Sequence, residues 1–67
     1  MDREGRMDRA ALIQRKGEVQ AEIARLRRQV EAMRARGDAR RLAELERQLD
    51  AAMAEEARLR QAIDRSR

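Results

Sequence analysis

Strong apolar residues recur in the first half of the chain at Leu12, Val19, Ile23, Leu26, Val30 and Met33, with Lys16 occupying the step between Leu12 and Val19. The steps alternate four and three residues, the spacing of a heptad seam along one helix. A second seam runs through Leu42, Leu45, Leu49, Ala52, Glu56, Leu59 and Ile63, again alternating three and four. The two seams do not share a frame. Continuing the first one lands on Gly37, Arg40, Glu44, Arg47, Ala51, Ala54 and Arg58, while the apolar residues sit elsewhere. The offset is roughly five residues, nearly one and a half helical turns at ~3.6 residues per turn. On one straight helix the second seam would face away from the first. A reversal of the chain removes the conflict.

The reversal has suitable chemistry in the right place. Gly37 can take the left-handed conformation that ends a helix, and Asp38 is a good N-cap for the next. Arg34 and Arg36 fall in the last turn before it, where cations suit the helix dipole. The predicted architecture is all-α: a helix over about 8–36, a turn at 37–38, and a helix over about 39–64, within a hairpin spanning 8–67. Residues 1–7 are expected to fray. Folding the hairpin sets Met33 against Leu42, Val30 against Leu45, Leu26 against Leu49, Ile23 against Ala52, Val19 against Glu56, Lys16 against Leu59 and Leu12 against Ile63. Every pairing is centred on the same point, between Gly37 and Asp38, so seam and turn agree. On the flanks, Arg27 is expected near Glu46, an attractive pair, and Glu22 near Glu55, a repulsive one.

Composition narrows the chemistry. The 67 residues carry 45% charged side chains and no aromatic, cysteine, proline or histidine. Ala, Leu, Glu, Gln and Arg dominate, and all are good helix formers. The longest apolar runs, Ala10–Ile13 and Ala51–Ala54, fall far short of the ~20 residues that cross a bilayer. Met1–Arg6 is charged and lacks a following apolar segment, so no secretory signal is expected. These features predict a cytoplasmic protein, and arginine- and alanine-rich usage suggests a bacterial one. Without cysteine or histidine there is neither a disulfide framework nor a structural zinc site. Ser66 is the only hydroxyl, and no histidine, cysteine or tyrosine is present for acid–base or nucleophilic work. No enzyme activity, metal, cofactor or small-molecule substrate is expected.

The apolar content instead predicts association. Chains of this size rarely bury enough surface to stand alone without a staple or partner. Ile13 and Met53 lie one turn off the seam and widen the apolar stripe on one side of the hairpin, a candidate second interface. The expected assembly is a coiled-coil-like antiparallel hairpin that forms a homo-oligomer, most simply a dimer, or joins a larger protein partner. The shape resembles the short helical hairpins that pair into four-helix bundles.

Several residues lie outside this scheme. Lys16 and Glu56, in adjacent seam layers, are a candidate polar layer that would fix register, unless both reach out to water. Gly17 inside the first helix costs about 1 kcal/mol relative to Ala; it either admits a close neighbour or is a tolerated defect. Arg27, Arg28, Arg34, Arg36, Arg40 and Arg41 cluster near the turn, balanced only by Glu31 and Asp38. This tip holds the whole net charge of +4 and is a candidate contact for anions, although no aromatic is available to stack a base. Arg36-Gly37-Asp38 spells an integrin-binding tripeptide, but each residue already has a structural task there. The leading functional expectation is a non-catalytic adaptor or regulator acting through protein–protein association. The alternatives are a nucleic-acid-binding regulator gripping phosphate with the arginine tip, and a small obligate subunit of a larger complex.

Overall fold

The computed structural model describes residues 8–66, so the expected fraying of residues 1–7 lies outside the described residues. Two α-helices, α1 (Arg9–Arg36) and α2 (Ala39–Arg65), fold back on each other as an all-α antiparallel hairpin. The molecule measures 51 × 16 × 15 Å, whereas one continuous helix over the same residues would be about 90 Å long at 1.5 Å per residue.

Both helices are capped by side chains at their starts. Asp8 is extended, and its Oδ1 accepts the Ala11 N–H at 2.8 Å. Asp38 does the same for α2, accepting the Arg41 N–H at 3.1 Å. These bonds satisfy backbone donors that lack a partner in the first helical turn.

The reversal occupies two residues. Gly37 sits at φ 77°, ψ 21°, in the left-handed region. Its N–H donates to the carbonyls of Met33 (2.9 Å) and Arg34 (3.2 Å), and the Asp38 N–H donates to Met33 O at 3.2 Å. That pair of reversed bonds is the Schellman arrangement. Asp38 therefore closes α1 with its N–H while capping α2 with its carboxylate, and its carbonyl accepts the Leu42 N–H at 2.9 Å. At the open end, the Ile63 carbonyl accepts from the Ser66 hydroxyl at 2.8 Å and from Arg9 Nη1 at 3.4 Å.

The core is a single seam. Leu12, Val19, Ile23, Leu26 and Val30 of α1 are buried, as is Leu45 of α2. Met33, Leu42, Leu49 and Ala52 pack against the centre formed by Leu26, Val30 and Leu45. Leu59 and Ile63 are half-buried. The two helices thus contribute unequally, with five of the buried apolar residues on α1 and one on α2. Five α2 seam residues, Leu42, Leu49, Ala52, Leu59 and Ile63, keep part of their apolar surface open to solvent.

The turn should be sensitive to single changes. Gly37→Ala places a Cβ at positive φ and is expected to cost about 1 kcal/mol, with Gly37→Asn costing less. Asp38→Ala removes the cap and should cost ~1 kcal/mol. Urea unfolding followed by circular dichroism reads both, and an unchanged midpoint in either variant would contradict the assignment.

Candidate interaction surfaces

Glu56 occupies a seam position and is 9% exposed, the one buried charged residue among those described. An isolated carboxylate there would be costly, and two side chains satisfy it. Arg60, one turn along α2, donates to both carboxylate oxygens at 2.6 and 2.8 Å, and Gln20 of α1 donates across the hairpin at 3.2 Å. Arg60 itself remains largely in water, with its side chain 62% exposed. The Arg60 hydrogen bonds hold the Glu56 carboxyl below its ordinary 4.5, outweighing the upward push of burial. Gln20 and the positive charges of Arg60 and Lys16 act in the same downward direction.

The polar layer therefore differs from a simple Lys16–Glu56 pair. Lys16 is half-buried and influences Glu56 only through space. Gln20 and Arg60 make the bonds. Both lie one position outside the seam, on the flank at which a buried carboxylate looks out.

That flank also carries Met53. Gln20, Ile23, Ala24, Arg27, Met53, Glu56 and Arg60 line a groove of about 450 Å³ between the helices. Met53 is 43% exposed at its edge. Ile13 is 50% exposed and lies outside this groove, nearer the open end of α1. The two residues of the candidate second interface are therefore an edge and a separate protrusion rather than a continuous stripe.

The charged flanks pair differently from the expectation. Glu46 takes Arg34, at 3.4 Å, and Arg34 also holds Glu31 at 2.9 Å. No ion pair joins Arg27 to Glu46 among the described residues. The expected clash of Glu22 with Glu55 is relieved because each acid has its own arginine. Arg25 binds Glu22 at 2.7 Å, and Arg15 grips Glu55 through Nε and Nη2 at 3.0 and 2.9 Å. Long arginine stems reach a turn away, so the level of the Cα atoms does not decide which charges meet. Exposed pairs of this kind contribute little stability.

At the tip, all six arginines are exposed. Arg34 is engaged as above and Arg41 binds Glu44 at 3.0 Å. Arg27, Arg28, Arg36 and Arg40 have no carboxylate within 4 Å among the described residues. Arg28, Arg36 and Arg40 stand around the tip, while Arg27 lines the groove at Met53. Among the described residues no cluster of carboxylates suited to a metal ion occurs, and no helix is long and apolar enough to cross a membrane.

No protein family, curated protein or solved structure matches this chain. The class of the molecule, an all-α helical hairpin, thus rests on its own geometry.

Stability should follow the Glu56 site with a definite sign. A carboxyl held low in the folded chain stabilises above its unfolded value of 4.5, and that contribution is lost as pH falls through the folded value. Glu56→Gln should be less stable than the parent near neutral pH, and the gap should close as pH falls from about 4.5. Thermal melts of both proteins from neutral pH down through that region test this; a constant gap would argue that the Arg60 and Gln20 bonds do not depend on the charge.

Proposed function

We propose that this chain is a non-catalytic helical hairpin that works through protein–protein association, as an adaptor or regulator. The observation that carries the reading is the thinness of the core. Among the described residues six apolar side chains are buried, five α2 seam residues are only half-covered, and Ile13 and Met53 stand in solvent. A second helical layer would cover this surface and add the apolar burial that a chain of this size needs. The simplest such layer is another copy, which would give a four-helix bundle.

Association makes stability depend on concentration. The melting temperature is expected to rise across two decades of protein concentration, in step with a monomer-to-dimer change in sedimentation equilibrium. Replacing Ile13 and Met53 together with Gln should weaken that dependence while preserving helix content. A melting temperature independent of concentration would identify a self-sufficient monomer.

A second reading draws on the arginines without partners. Arg28, Arg36 and Arg40 lie off the core seam and hold no carboxylate among the described residues, so they are free to meet phosphate. In this reading the hairpin is a nucleic-acid-binding regulator. Changing these three to Gln keeps good helix formers in place. Affinity for a DNA duplex should fall, and the slope of log affinity against log salt should flatten by up to about 0.9 for each phosphate no longer neutralised. Undiminished, salt-independent behaviour of the folded triple variant would leave these arginines as solvated surface.

A further inference from the structure

We infer that two copies of this chain pair in antiparallel orientation about a two-fold axis beside Gly17, each seating its Ile13 in the other's groove at Met53. The inference rests on the association reading and specifies the surface and the geometry.

The face concerned carries a protrusion, a recess and a bare stretch of backbone between them. Among the described residues, Ile13 and Met53 are the large apolar side chains left exposed, at 50% and 43%. The groove at Met53 is open; Gln20, Ile23, Ala24 and Arg27 form its α1 wall, and Glu56 and Arg60 stand beside Met53 on the α2 side. Gly17 stands one turn from Ile13 on the same side of α1. A Cβ built there would meet nothing within 4 Å. Nothing inside the hairpin asks for a glycine at this point, although it weakens the helix by about 1 kcal/mol relative to Ala. A bare backbone on an exposed helix face is suited to the crossing of another helix.

The spacing is self-complementary. Ile13 lies about 6 Å from Gly17 along the axis, at 1.5 Å per residue. The groove wall from Gln20 to Ala24 lies roughly 5–10 Å from Gly17 in the opposite direction. A two-fold axis at Gly17 exchanges these two levels, so each protrusion meets the other copy's recess. An isologous interface requires this match of a surface with itself. A parallel pairing would hold the two Ile13 side chains at one level, short of the groove.

Charge selects the same orientation. The net charge of +4 resides within residues 27–41, and the remainder of the chain balances to zero. Antiparallel pairing about Gly17 overlaps the neutral halves and carries the two basic tips to opposite ends. Parallel pairing would set the tips side by side, where like charges repel.

The absence of cysteine makes the test direct. In the full chain, Gly17→Cys should oxidise to a covalent dimer, while Ala32→Cys, about 22 Å along α1 from the axis, should not. A mixture of Ile13→Cys and Met53→Cys chains should cross-link faster than either alone. Gly17→Leu separates the two explanations of the glycine. It should keep or raise the helix content while increasing the dimer dissociation constant about tenfold or more, as bulk at a packed crossing does. Sedimentation equilibrium of the parent chain divides the outcomes. A monomer at every concentration overturns both this pairing and the association reading in its homodimeric form. A dimer that Gly17→Leu strengthens, and in which Gly17→Cys cross-links no better than Ala32→Cys, overturns this pairing alone and places the interface on another face.

Discussion

A chain of L-residues can leave one helix and enter the next within two residues only if the first tolerates positive φ and the second satisfies donors on both sides. Gly37 meets the first condition, at φ 77°. Asp38 meets the second, with its N–H on Met33 O and its carboxylate on the Arg41 N–H. Because no loop residue intervenes, the turn leaves α2 almost no freedom to slide along α1. Pairing is therefore set from the closed end, and the seam must agree with it. Leu26, Val30 and Leu45 form the buried centre about two to three helical turns in from that end, with Met33, Leu42, Leu49 and Ala52 packed around them.

Farther from the turn the seam changes character. Ala52 and Glu56 replace the leucines of α2, so the hairpin is less filled and more polar toward its open half. The carboxylate of Glu56 is tolerated there because Arg60 can approach from water while Gln20 closes the other side. With Arg60 largely in water, this ion pair adds little net stability of its own. Its bond to Gln20 nevertheless ties the two helices at one level, and it opens the flank on which Met53 and the groove lie. Polarity in the seam and an uncovered apolar edge are thus neighbours, and both point to the open half as the surface that remains to be covered.

The distribution of charge reinforces this division. Near the turn, arginines outnumber acids, and four of them have no carboxylate partner among the described residues. In the open half, Arg15 pairs with Glu18 and Glu55, Arg60 pairs with Glu56, and the residues outside 27–41 sum to zero charge. A balanced face can approach another copy of itself at small electrostatic cost, and an unbalanced tip cannot. The proposed dimer and the alternative of phosphate binding therefore draw on opposite ends of the same hairpin and do not compete for residues.

The two helices, the place of the reversal and the membership of the seam are all legible in the order of residues alone. Each follows from local chemistry or from a periodicity that only one fold satisfies. Every residue assigned to the seam, from Leu12 to Ile63, is buried or half-buried in the structure. Asp8 as the cap of α1 is legible in principle, as an Asp just before a helical run, but its position beside other charged residues masks the signal. The partnership of the polar groups is different, because it is settled only by the packed hairpin. Glu56 with Arg60 and Gln20, Glu46 with Arg34, and Glu55 with Arg15 all depend on side-chain reach across a turn of helix. The separation of Ile13 from the Met53 groove likewise depends on where α2 lies against α1. Periodicity fixes which face a residue occupies, but long side chains choose among several partners of nearly equal energy, and that choice is made only when both helices are in place.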